Sequence, residues 1–173
     1  LQADPSCTGQ PLCPLIPLRT PQEFYGFEAS ADWAVTPKLD LRALVTWQRG
    51  KAFDDGLGEF VDYSTDVVAP FRMTGGAAWR PIPGLRLGLQ GTYYGAADYF
   101  TPAEQGIGRV ATDEQFLLAG SIGYRIGPGE IYLAASNLLD EEYVNVQNQG
   151  FGFDFFYYLA EGRRVTLGYR ASF

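Results

Sequence analysis

Five acidic residues, Asp54, Asp55, Glu59, Asp62 and Asp66, gather within one short stretch, and carboxylate oxygens of that density could hold calcium. Their spacing does not match an ordered calcium loop, so solvated charge is the better reading. The only cysteines, Cys7 and Cys13, lie close enough in sequence to close a small loop by a disulfide, which favours an oxidising compartment. Without a histidine or further cysteines they make a poor zinc site. Histidine is absent from all 173 residues, which removes the commonest general base and the commonest metal ligand. No catalytic residue, metal site or cofactor is therefore expected, and a Ser-His or Asp-His hydrolase cannot be built from this chain.

The other grouping with chemical potential is aromatic. Phe151, Phe153, Phe155, Phe156, Tyr157 and Tyr158 form a dense patch that could stack on a planar or catecholate ligand, and Tyr99 and Phe100 invite the same reading. The alternation through 151–157 fits equally well a strand whose aromatics pack against neighbours. A net charge of -7 with no Lys/Arg-rich tract argues against a nucleic-acid partner.

The elements that must position these residues have a period of two. In 85–94 the odd positions are apolar or small, and in 39–48 Leu39, Leu41, Ala43, Val45 and Trp47 face one way while Asp40, Arg42, Thr46 and Gln48 face the other. Leu44 is the misfit. Five more segments, 27–35, 71–80, 116–126, 131–137 and 165–173, follow the same pattern, giving about seven antiparallel strands. In each, the charged residues Glu28, Asp32, Arg72, Arg80, Arg86, Arg125 and Arg170 fall opposite the apolar ones. No stretch is long and apolar enough for a membrane helix, and the chain carries no signal-peptide pattern.

Connections alternate between tight turns at 36–38, 81–84 and 127–129 and long loops at about 50–70, 95–112 and 140–161. That is the pattern of an outer-membrane β-barrel, with short turns on the periplasmic side and long loops outside. Alternation alone also fits a secreted β-sandwich. The placement of aromatics favours the barrel: Trp33, Trp79, Tyr124 and Phe173 mark the tight-turn end of the apolar face, and Trp47, Tyr93 and Phe116 the long-loop end. Two such girdles bracketing Leu, Val, Ala, Ile and Gly suit a face turned to lipid. Mid-strand Gly75, Gly91 and Gly120 weaken a soluble sheet more than a closed barrel in lipid. The opposite face suits a hydrated lumen or one filled by another protein element.

With long loops outside, the first strand and the last both run toward the periplasm, so the sheet is odd in number and is not expected to close by itself. Residues 1–22, rich in proline, are expected to be an extracellular loop holding the disulfide, and 23–173 the C-terminal part of a larger barrel.

The stretch Asn137-Leu138-Leu139-Asp140-Glu141-Glu142-Tyr143 resembles the NL(F/L)D-x-x-Y signature near the end of TonB-dependent outer-membrane receptors, and Glu161-Gly162-Arg163-Arg164-Val165 resembles their GR-containing approach to the last strand. The close, Thr166 to Phe173, is similar to the C-terminal assembly signal of outer-membrane barrels, carried by Gly168, Tyr169, Ala171 and Phe173. Ala171 departs from it, standing where a larger apolar residue is usual.

The resemblance implies a barrel of roughly 22 strands with a plug domain and an energy-coupling box elsewhere in the protein, linked to an inner-membrane energy-coupling complex. It implies energised uptake of a scarce, bulky nutrient, most often a ferric siderophore, so a small-molecule metal chelate and the lipid bilayer are the expected partners. Gln147, ahead of the aromatic run, is vaguely like siderophore-receptor ends. Lumen-facing Arg72, Arg86, Arg125 and Arg170 would then contact plug carboxylates. A passive porin and an adhesion or scaffold barrel are the alternatives.

Overall fold

The computed structural model describes residues 2–3, 15–16, 20–65, 68–69, 71–97, 111–149 and 157–171. They form β1 (Gln2–Ala3), β2 (Leu15–Ile16), β3 (Gln22–Thr36), β4 (Leu39–Asp54), β5 (Glu59–Asp62), β6 (Arg72–Trp79), β7 (Leu85–Tyr94), β8 (Gln115–Ile126), β9 (Gly129–Ser136), β10 (Val144–Gln149), β11 (Tyr157–Leu159) and β12 (Arg164–Ala171). One antiparallel sheet runs β3-β4-β6-β7-β8-β9-β12, with β5 added beside the upper end of β4. The seven strands expected from period two are the seven of this path.

Because side chains alternate across a strand, the register tests whether the apolar sets share a face. They do. One row runs Trp33, Leu41, Ala77, Leu89, Gly120, Ala135 and Val165, each directly opposite the next. The adjacent row on the other face runs Ala34, Asp40, Ala78, Gly88, Ser121, Ala134 and Thr166. Leu44 lies on the polar face, in line with Thr74, Thr92 and Leu117.

No second layer covers the apolar face among the described residues. Leu89, Leu133 and Leu167 are 53%, 43% and 70% exposed, and among the described residues the buried apolar side chains are Val68 and Ala97. The chain exposes 12501 Å², whereas a globular protein of 19.1 kDa would expose about 8,400 Å². A soluble sandwich, which buries one face of each sheet against the other, does not fit.

The short turns are where proline and glycine put them. Pro37-Lys38 joins β3 to β4, and Gly84 and Gly127 adopt positive φ of 83° and 56° in the turns after β6 and β8. β3 and β4 run beyond the expected 27–35 and 39–48, to 15 and 16 residues, more than the roughly 9–11 a membrane strand needs. Backbone pairing continues there because β5 supplies a partner to Lys51–Asp54. Residues 1–22 were expected to hold no strand, but Gln2–Ala3 and Leu15–Ile16 form a two-residue ladder. The paired positions avoid the prolines.

Candidate functional site

Three surfaces bear on function: the apolar outer face, the polar concave face and the bases of the long loops. On the outer face, Trp33, Trp79 and Tyr124 stand at the tight-turn end, and all three are about half or more exposed. Tyr169 sits across Ile131 from Tyr124 and extends that group along the sheet. At the other end Trp47 contacts Tyr25 and Phe27 with ring centroids 6.0 Å away in each case, and Tyr93 lies opposite Phe116. Sequence reading missed Tyr25, Phe27 and Tyr169, whose membership shows only when strands are laid side by side. Phe173 lies outside the described residues.

The C-terminal strand explains two of its own residues. Gly168 faces the concave side, where the Tyr132 ring lies across it and leaves no room for a side chain, while Tyr169 on the opposite face lies across Gly129. Aromatic cover of this kind pins strand register. Ala171 pairs with Gly129.

The concave face forms a trough of about 890 Å³ lined by small residues such as Gly76, Ala78, Gly88 and Ala134, with Asp32, Arg42 and Gln90 among them. Its charges are paired toward the tight-turn end. Arg42 Nε donates to Asp32 Oδ1 at 2.6 Å, Arg80 pairs with Asp40, and Glu130 receives both Arg86 at 3.7 Å and Arg170 at 3.4 Å. Arg125 lies opposite Glu130 in the ladder. The sequence placed Asp32 and Asp40 on this face but not their pairing, and Glu130 was not singled out, since the partners come from other strands. Exposed pairs like these contribute little stability individually, about 0–1 kcal/mol. Arg72 stands apart, at the long-loop end of β6, with its guanidinium 5.1 Å from the centroid of the Tyr94 ring.

The long connections are pinched at their bases. Ala97 and Thr112 exchange backbone hydrogen bonds of 2.9 and 3.0 Å, and Ala160 N donates to Tyr143 O at 2.9 Å. The tightest of these closures is built by the Asn137–Asp140 turn, both of whose end residues have positive φ. Buried Asn137 donates from Nδ2 to the carbonyls of Glu141 and Glu161, and Glu141 N donates back to its Oδ1. Asp140 receives the Arg163 backbone N–H at 2.8 Å and its guanidinium at 2.9 Å. One four-residue turn thus ties the start of the third long loop to its end. These bonds, first the backbone N–H and then the guanidinium, hold the Asp140 carboxyl below the usual carboxylate range.

Among the acidic residues near β5, Asp54 Oδ1 accepts the N–H groups of Gly56 and Leu57, and Asp62 lies 3.8 Å from Lys51. Local structure accounts for both carboxylates; Asp66 lies outside the described residues. So do Cys7, Cys13, Tyr99, Phe100, Phe151, Phe153, Phe155 and Phe156. Gln147 falls in β10 and Tyr157 and Tyr158 in β11, two strands that pair antiparallel.

No protein-family model matches the sequence. Among solved structures, the chain is similar to the ferric yersiniabactin uptake receptor FyuA from Yersinia pestis, with a TM-score of 0.69 and 19% identity over 89% of this chain. It is similar to the ferric-catecholate import receptor Fiu from E. coli K12, with a TM-score of 0.62 and 19% identity over 87% of this chain. The ferripyoverdine receptor of the outer membrane of Pseudomonas aeruginosa matches with a TM-score of 0.64 and 17% identity over 87%. The chain spans 24%, 21% and 19% of those proteins, respectively. The likeness is one of fold: this open sheet has the architecture of part of a receptor barrel wall.

Proposed function

We propose that this chain is the C-terminal part of the barrel of a TonB-dependent outer-membrane receptor, which takes up a scarce, bulky nutrient of the ferric-siderophore kind with energy supplied from the inner membrane. The observation that supports this reading is a single-layer sheet of seven strands whose apolar face is uncovered and whose fold is that of siderophore-receptor walls. In this reading the outer face meets lipid hydrocarbon between the Trp33/Trp79/Tyr124 and Trp47/Tyr93/Phe116 belts. The pinched connections are extracellular and the end of β12 is periplasmic.

Arg86, Arg125 and Arg170 then line the lumen near the periplasmic rim. Arg86 and Arg170 share one carboxylate, Glu130, and Arg125 lies opposite it in the ladder, so this region has cationic capacity to spare for plug carboxylates. The chain contributes wall, assembly signal and loop anchors, and is not itself catalytic.

Uptake of radiolabelled ferric chelates by whole cells producing the full-length protein tests the reading. Accumulation that stops when the membrane potential is collapsed is the expected result. Accumulation unaffected by that collapse would point to a passive pore, and none with any chelate would remove the siderophore assignment.

A further inference from the structure

The concave face treats its arginines in two ways. Toward the tight turns, Arg42, Arg80 and Arg170 each reach a carboxylate on an adjacent strand, and Arg86 reaches Glu130 across β8. At the long-loop end, Arg72 is exposed, has no carboxylate within ion-pair distance among the described residues, and lies against the face of Tyr94. Its row across the concave face reads Glu28, Thr46, Arg72, Tyr94 and Gln115. Glu28, the one carboxylate in that row, is two strands away, roughly 10 Å at 4.8 Å per strand, and does not pair with it. A guanidinium held over a ring by a cation–π contact has N–H donors that the ring does not occupy and that can meet an anion's oxygens.

A second aromatic platform lies on the same face further out. Gly50, four residues beyond Thr46 on β4, has no side chain, and the rings of Phe24 and Tyr63 close over it. They stack with centroids 5.4 Å apart and planes inclined by 15°. Phe24 remains 59% exposed. Four residues of strand separate the two platforms by about 13 Å along β4, with a further sideways offset toward β6, a span that needs a ligand larger than a single ring.

We propose that Arg72 on Tyr94, together with the Phe24–Tyr63 stack, forms a contact surface for an anionic ferric chelate carrying phenolate or catecholate rings, an assignment that rests on the receptor reading above. The guanidinium takes the negative oxygens and the aromatic faces take the rings.

The test uses the purified full-length receptor and two probes, a ferric tris-catecholate and an uncharged ferric tris-hydroxamate, with binding read by quenching of intrinsic fluorescence. The wild type is expected to bind the catecholate and to discriminate against the hydroxamate. Arg72→Gln should weaken catecholate binding by roughly ten- to a hundredfold, the range for a hydrogen bond to a charged group. Phe24→Leu should weaken it by a smaller factor, with heat-modifiable gel mobility showing that both variants remain folded. Should Arg72→Gln fail to fold, Tyr94→Leu carries the same expectation.

Equal binding of the two probes, or catecholate binding unchanged in Arg72→Gln or Tyr94→Leu, would overturn the assignment while leaving a functioning receptor. So would an Arg72→Gln receptor that loses both chelates equally with a lower melting temperature, since Arg72 would then be serving an internal protein contact. Binding of neither probe, with no chelate uptake by cells, would remove the receptor reading and this assignment with it.

Discussion

At Asp140 a single carboxylate holds the far end of a loop through two bonds to Arg163, and Asn137 does the same through the Glu161 carbonyl. Asn137→Ala removes three hydrogen bonds at a buried position and replaces a residue that tolerates the left-handed region with one that does not at φ 49°, so a loss of about 2–3 kcal/mol is expected. Chemical denaturation of the full-length receptor in detergent measures it. Asp140 also carries a pH prediction. Its carboxyl is depressed in the folded state, so its contribution is complete above the unfolded value near 3.8 and fades as pH falls through the lower folded value. Pepsin cleavage within 141–162 should therefore stay slow at pH 5 and accelerate only in strong acid. An Asp140→Asn variant should be cut faster than the wild type at pH 5 and at a similar rate in strong acid, where the wild-type carboxyl is also neutral.

For the strands, the prediction is a contrast between adjacent residues. Leu89 lies midway along β7 on the apolar face, and Gln90 lies next to it on the concave one. Arginine at Leu89 should destabilise the assembled barrel by about 2–4 kcal/mol, while arginine at Gln90 should cost little. The yield of heat-modifiable, folded receptor in outer-membrane fractions distinguishes them, and equal effects would contradict a lipid-facing Leu89. The aromatic belts make a companion prediction. Trp33, Trp47 and Trp79 stand at the two ends of the apolar face, so lipid-borne quenchers near the headgroups should quench their fluorescence more than quenchers at the bilayer centre.

At the scale of the whole molecule, the seven-strand path ends in two edge strands, β3 and β12, and an open edge in lipid leaves backbone groups without partners. Amides of β7 and β8, paired on both sides, should be strongly protected in hydrogen exchange. Those on the free side of β12 should exchange quickly when this chain is studied alone in detergent and slowly in the full-length receptor. Protection that did not change between the two would mean that β12 finds no partner strand.

The strand count and the division into two faces were legible in the chain because side-chain alternation is a local property. Each of the seven segments declares its own apolar side, and Pro37, Gly84 and Gly127 declare the turns between them. Arg42, Arg80, Arg86 and Arg170 were legible as polar-face residues but their carboxylates were not. Partnership across strands depends on register, and register belongs to the pair. The same reason hid Tyr169 and Phe27 in their aromatic groups and Tyr132 over Gly168. The amino-acid sequence alone therefore determined what kind of surface each strand presents, lipid-like on one side and polar on the other. Only the tertiary structure decided that no described residue covers the apolar face, that Asn137 and Asp140 close a loop, and that Arg72 lies on Tyr94 apart from the other arginines, because each is a relation between residues distant in sequence.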